Sequence, residues 1–172
     1  LRKFEEQKTT IELSTFELVE FVTTTIAEFK PLIMAKHQNI ELGGLKHLEI
    51  QSNKVILKSI LSNVLSNAIK YSPIGGKISC LIKTNNSQYL IEVHDSGPGF
   101  KGSDIEKLYQ KFGKLSARPT ANETSSGLGL YTVKLLTEKL GGQVKLTSTT
   151  NYGSCFTLFF PKQQQIKNII DY

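Results

Sequence analysis

The segment Asn53 to Pro73, N-K-V-I-L-K-S-I-L-S-N-V-L-S-N-A-I-K-Y-S-P, decides how this chain folds. It predicts one long helix, with Asn53 as its N-cap and Pro73 as the residue that cannot continue it. Leu57, Leu61, Val64, Leu65 and Ala68 recur at helical spacing and form the apolar stripe. Lys58, Ser62 and Ser66 make a polar outer face, while Asn63, Asn67 and Lys70 stack at i, i+4 and i+7 on a second polar arc. Asn is a mediocre helix former, so two of them on one arc require a reason. Amide oxygens can hold a divalent cation and an ammonium can hold a phosphate. The helix alone leaves two readings open, a ligand-binding arc or a solvated face with two Asn residues.

The rest of the chain bounds what this helix can belong to. With 172 residues and 39% hydrophobic content, one compact domain with a sizeable core is expected. No apolar run approaches the ~20 residues of a membrane helix, and no signal peptide opens the sequence. Cys80 and Cys155 each fall inside a predicted strand, as a thiol pair in a reducing compartment would, and two cysteines do not make a structural zinc site. The expected location is therefore cytoplasmic, with a membrane anchor elsewhere in the full-length protein left open. A net charge of +6 raises nucleic acid as a partner, but the lysines are scattered and no basic patch interleaved with aromatics is visible. A smaller anion such as a nucleotide serves equally well, and nucleic acid is not expected.

Residues 1–13 read as the end of a longer helix and a linker, with Ile11–Leu13 as a short strand. Ser14 and Glu17 match the S-x-x-E capping box and predict a helix from Ser14, kinked at Pro31. Extended segments follow from Gln38 and from His47, broken by Gly43-Gly44. Beyond the central helix, Lys77–Thr84 and Tyr89–Asp95 alternate as a hairpin around Asn85-Asn86-Ser87. Phe100 to Ser126 has few apolar anchors and reads as a lid ordered by a ligand. Gly127 opens a helix to Leu140, stopped by Gly141-Gly142, and Gln143–Thr149 pairs with Ser154–Phe160. Residues 162–172 form a polar tail, which leaves 14–161 as the domain proper. Helices and antiparallel hairpins without repeated βαβ units give an α+β two-layer sandwich, a mixed, mostly antiparallel sheet covered by helices on one face.

Two glycine motifs flank the lid. His94 to Phe100 reads H-D-S-G-P-G-F, in which an Asp ends a strand and G-x-G lets the backbone approach a ligand. The Asp95 carboxylate could accept from the exocyclic amine of adenine. Ser125 to Leu130 reads S-S-G-L-G-L and runs into a helix, whose N–H groups suit an anion such as a triphosphate. Each motif alone is also an ordinary turn or helix start. Neither the P-loop nor the dinucleotide-binding G-x-G-x-x-G pattern is present.

The order of the motifs is more specific than any one of them. N-x-x-x-N-A-I-K-Y, then D-S-G-P-G-F, then L-Y-Q-K-F, then S-G-L-G-L strongly resembles the N, G1, F and G2 boxes of the catalytic ATP-binding domain of sensor histidine kinases. The resemblance spans roughly Phe16 to Pro161, and K-F-G-K-L-S-A-R-P at Lys111 to Pro119 is similar to the hybrid-type members. It implies the Bergerat ATP-binding fold, shared with type II topoisomerases and MutL proteins. It also implies roles. Asn67 and Asn63 would hold Mg²⁺, Lys70 would contact phosphate, and Tyr71 would flank the nucleotide. Asp95 would read adenine, with Gly97 and Gly99 allowing close approach. Phe112 would anchor the lid, while Lys114 and Arg118 would add basic contacts. Gly127, Leu128 and Gly129 would surround the phosphates. ATP and Mg²⁺ are the implied cofactors, and a response regulator or receiver domain the implied downstream partner.

The same resemblance implies a phosphoacceptor histidine on a separate dimerisation domain, in a homodimer. The three histidines, His37, His47 and His94, sit in no H-E or H-D helix signature and are expected to be ordinary structural or surface residues. Phosphoryl transfer to a protein histidine competes with two other classes, an ATP-hydrolysing switch and a non-catalytic nucleotide-sensing module. The hydrolysing relatives carry a Glu one turn before the metal-binding Asn, where this chain has Asn63. Water benefits from a general base, whereas an imidazole is itself a nucleophile. The substitution favours the kinase class, and the intact motifs argue against a non-catalytic module.

Overall fold

The computed structural model describes residues 11–100, 128–149 and 152–162. In chain order the elements are β1 (Ser14–Glu17), α1 (Leu18–Glu28), α2 (Lys30–Ala35), β2 (Asn39–Gly44), β3 (Glu49–Ser52) and α3 (Lys54–Tyr71). There follow β4 (Lys77–Thr84), β5 (Gln88–Asp95), α4 (Gly129–Lys139), β6 (Gln143–Thr149) and β7 (Gly153–Pro161). Five strands make one sheet in the order β2-β4-β5-β7-β6, parallel between β2 and β4 and antiparallel elsewhere. Strands β1 and β3 pair separately. This is the expected α+β sandwich.

Alternation along the strands decides which sheet face is covered. Ile78, Cys80 and Ile82 of β4, Tyr89, Ile91 and Val93 of β5, and Phe156, Leu158 and Phe160 of β7 are buried on the helix side. Helix α3 lies across them through Leu57, Ile60, Leu61, Val64, Leu65, Ala68 and Ile69. Each such side chain contributes about 1.5–3 kcal/mol on leaving water, so the face that carries them is fixed. The polar arc is thereby held against the start of α4. Asn53 caps α3 as expected, its side-chain oxygen accepting from Ile56 N at 2.8 Å.

The N-terminal reading requires correction. Residues 11–13 form no strand, and Ser14 does not cap a helix. Ser14–Glu17 instead pairs antiparallel with β3, placing Phe16 opposite Ile50 in the core. The cap moves to Glu17, which accepts from Glu20 N and from Leu48 N, each at 2.6 Å. A local capping motif has lost to a strand pairing that buries an aromatic ring. Pro31 does not kink one helix; it sits in the first turn of α2, after a break at Phe29.

Sequence reasoning did not foresee how α3 ends. Lys36 and Gln38 are buried, 6% and 8% exposed, and both face the C-terminus of α3. Lys36 Nζ donates to the carbonyls of Ile69 (2.8 Å) and Lys70 (3.0 Å). Gln38 Nε2 lies within 3.0–3.1 Å of the carbonyls of Ile69, Ser72 and Pro73. The last carbonyls of a helix lack intrahelical partners and carry its negative end, which a cation satisfies. Between the two residues, His37 adopts φ 50°, the left-handed turn that lets its neighbours point the same way. Replacing Lys36 with Met should keep the bulk and strip the cap, costing about 1–3 kcal/mol in chemical denaturation. Unchanged stability would show that the cap is dispensable.

Candidate functional site

Helix α3, the end of β5 and the start of α4 meet at one corner of the sandwich. Asn67, Tyr71, Asp95, Pro98, Gly99, Phe100, Ser154 and Phe156 line a crevice there. Asn67 projects from α3 one turn before Tyr71, whose ring is buried. Asn63 lies a turn earlier on the same arc. Its Nδ2 donates to Ser59 O at 2.8 Å, leaving Oδ1 turned toward α4.

That orientation explains Gly129. A Cβ there would stand 3.1 Å from Asn63 Oδ1 and 3.9 Å from Asn67 Nδ2. The first turn of α4 therefore packs directly on the Asn arc, and a side chain at 129 would crowd Asn63 by a few tenths of an ångström. Leu128 precedes it as N-cap without a side-chain cap bond, and its carbonyl accepts from Thr132 N and Thr132 Oγ1, each at 2.9 Å. The N–H groups of the first α4 turn lie next to the two amides.

Asp95 ends β5 in register with Ser154 of β7. Its Oδ1 accepts from Gly97 N at 2.8 Å. Burial pushes the carboxyl up to about 6, against the pull of hydrogen bonds from Gly97 and Ser154. A buried acceptor held short of full solvation is suited to a ligand donor. A Cβ at Gly97 would meet Asp95 Oδ1 at 2.8 Å and Tyr71 O at 2.9 Å, so the G-P-G turn threads between the acid and α3. Gly99 has φ 70° and presses on Thr149 O. Phe100 follows it, its N–H bonded to Ser148 Oγ at 2.8 Å and its ring edge-on to Phe156.

The structure thus brings Asn67, Tyr71, Asp95, Gly97 and Gly99 together, with Asn63, Leu128 and Gly129 adjoining. Lys70 shares the helix but is not among the crevice-lining residues. Phe112, Lys114, Arg118 and Gly127, like the lid residues after Phe100, lie outside the described residues. Ser154, Phe156 and Ser148 were not anticipated. Through strand register Ser154 and Phe156 reach the crevice and Ser148 reaches Phe100, each about 50 residues or more from the motif it touches, and no local pattern marks them.

A family profile described as histidine kinase-, DNA gyrase B- and HSP90-like ATPase matches residues 52–164. The chain belongs to this family. It is an ATP-binding domain of that type. The chain is 29% identical over 172 residues to the sensor histidine kinase WalK of Bacillus subtilis, covering 96% of this chain and 27% of WalK. It is 28% identical to the circadian input-output histidine kinase CikA of Synechococcus elongatus, covering 98% of this chain and 23% of CikA. The chain spans about a quarter of the length of these relatives. The nucleotide-free catalytic domain of the histidine kinase ThkA superposes with a TM-score of 0.77 at 22% identity, covering 88% of this chain and 98% of that one. ThkA in complex with the response regulator protein TrrA gives 0.73 at 21% identity, covering 88% and 42%. At these identities the likeness to ThkA is one of fold. Among the described residues, no helix is long and apolar enough to cross a membrane.

The raised Asp95 acid has a measurable consequence. Ionisation is harder in the folded protein than in the unfolded chain, so stability falls as pH rises from about 4 to about 6 and is level above. In Asp95→Asn that component should vanish. The variant should gain about 1–3 kcal/mol over the parent across this window, at roughly 1.4 kcal/mol per pKa unit. Denaturant melts at pH 4 and pH 7 check this, and a constant difference between the two proteins would refute it.

Proposed function

We propose that this chain is the catalytic piece of a protein-histidine kinase, which binds Mg-ATP and donates its γ-phosphoryl to a histidine on a separate dimerisation domain. The reading rests above all on one observation, the Asn63–Asn67 arc packed against Gly129, with Asn67 lining the same crevice as Asp95. A base-reading acid and a phosphate-side cluster of amide oxygens and helix N–H groups are what an adenine nucleotide needs.

The donor set fits Mg²⁺, which takes oxygen ligands and usually keeps several waters and substrate phosphates in its shell. Asn63 Oδ1 is turned to the α4 start, and Asn67 stands beside it. When bound, the ion would neutralise phosphate charge. Asp95 accepts the adenine amine and so rejects guanine, which presents a carbonyl there. Tyr71 and Phe100 shield the base from water. The α4 N–H groups and Lys70 draw the phosphates to the opposite end. Phosphoryl transfer asks little more than positioning and charge neutralisation. The finer roles expected of Lys114, Arg118, Phe112 and Gly127 belong to the same proposal.

Hydrolysis is disfavoured by Asn63, an amide that takes no proton at neutral pH and already donates to Ser59 O. His37 sits at a turn, His47 precedes β3 and His94 lies on a strand, so no histidine of this chain is presented on a helix. The relatives named as histidine kinases, and ThkA solved with a response regulator, support a response regulator or receiver domain as the next partner.

Two experiments test the proposal. Asn67→Ala should lose the Mg²⁺-dependent part of the affinity for a non-hydrolysable ATP analogue, roughly tenfold or more for a contact of about 1.5–3 kcal/mol. Calorimetric titration with and without Mg²⁺ reads this, and unchanged Mg²⁺ dependence in a folded variant would remove Asn67 as a ligand. Incubated with radiolabelled ATP, the chain alone should form no acid-labile phosphate. Adding a histidine-bearing helical hairpin domain should produce it weakly, because separate pieces forfeit the effective concentration of a tether. Rapid phosphate release without a partner would move the protein to the hydrolase class.

A further inference from the structure

The sheet has a second face, opposite the helices, and it carries chemistry that nucleotide binding does not use. On β5, Glu92 and His94 are two residues apart and so point the same way. On β7, Cys155 is the residue directly opposite His94. The ligand-type atoms of Glu92, His94 and Cys155 all lie within 4.8 Å of one another. We propose that these three side chains form a binding site for a borderline-soft divalent cation of the Zn²⁺ type.

Geometry carries the assignment. Zn²⁺ sits about 2.0–2.1 Å from nitrogen or carboxylate oxygen and about 2.3 Å from thiolate, so the edges of its tetrahedron are about 3.3–3.6 Å. Here His94 Nε2 is 3.3 Å from Glu92 Oε2 and 3.4 Å from Cys155 Sγ. Two edges of the tetrahedron already exist, and the third, between Glu92 and Cys155, is within 4.8 Å. Sulfur, imidazole and carboxylate together select Zn²⁺ over Mg²⁺ or Ca²⁺, which prefer all-oxygen shells. The His94 side chain is 43% exposed, leaving the fourth corner to water.

The neighbouring groups permit this. Lys83 Nζ bonds Glu92 Oε2 at 2.8 Å, but its side chain is half exposed and can withdraw into solvent. Lys83 Nζ and His94 Nε2 both lie within hydrogen-bond distance of Glu92 Oε2, which holds that oxygen beside the imidazole. Cys80 is buried on the helix side of the sheet, so Cys155 on the opposite face has no disulfide partner in it. Burial raises the Cys155 thiol, which argues against a nucleophilic thiolate; metal binding would release its proton to solvent. The site is back to back with the crevice, because His94 precedes Asp95 and Cys155 follows Ser154 in the paired strands.

The test uses the 172-residue chain stripped with a chelator, without nucleotide and in excess Mg²⁺. Titration with Zn²⁺ should show one equivalent bound. Co²⁺ should give the thiolate-to-cobalt charge-transfer band and the visible bands of a tetrahedral site. Cys155→Ser and His94→Ala should each weaken Zn²⁺ by at least about tenfold, the loss typical even for outer-shell partners. Should a variant fail to fold, Zn²⁺ protection of Cys155 from alkylation in the parent, read by peptide mapping, replaces it. Absence of the charge-transfer band, affinity unchanged in a folded Cys155→Ser, or undiminished alkylation would each overturn the proposal.

Discussion

The C-terminus of α3 depends on two side chains that lie far from it in sequence. Lys36 and Gln38 bond the carbonyls of Ile69, Lys70, Ser72 and Pro73. The segment that carries them is further tied by Gly75 N to Lys36 O at 2.9 Å and Asn39 N to Gly76 O at 3.1 Å. A helix whose last turn frays cannot keep Tyr71 buried or hold Asn67 at a fixed distance from Asp95. The apolar stripe sets which face of α3 looks inward, but the cap sets where the helix stops. The crevice side of α3 is placed by those two constraints together.

The crevice joins parts of unequal character. Asn63 and Asn67 stand on a long helix packed along its whole inner face. Asp95 stands at the end of a strand bonded on both sides, by β4 and by β7. The turn Gly97-Pro98-Gly99 fills the gap between them, its two glycines letting the backbone come close. Ligand-binding groups on regular elements keep their positions without a ligand to organise them.

Much of this was legible in the residues themselves. The span of α3, strand β4 and strand β6 follow from apolar period, the Asn53 cap and the glycine stops, because each signal lies within a few residues of the element it sets. The N-terminal strand was misread for the opposite reason. Ser14 and Glu17 carry a genuine local signal, but the partner that decides their state, Glu49–Ser52, is over 30 residues away. The same limit hid the Lys36 and Gln38 cap and the Ser154 contact to Asp95. The motif residues of the crevice could be named because order and spacing are properties of one chain read in line. What joins them across the sheet is register, which is not.

Register also has a kinetic side. Strands β4–β5 and β6–β7 are neighbours in sequence, and such hairpins close in about 1–10 μs. The seam between them is different. Pairing β5 with β7 sets Asp95 against Ser154, with the whole of α4 and the segment before it looped out between. Closure of that seam carries a larger entropic penalty and comes after the hairpins. The wall that carries Asp95 is therefore completed only near the native end of the reaction. A ligand gripping that wall would leave the folding rate nearly untouched and slow unfolding instead. Occupancy would act on the lifetime of the native protein rather than on how quickly it is made.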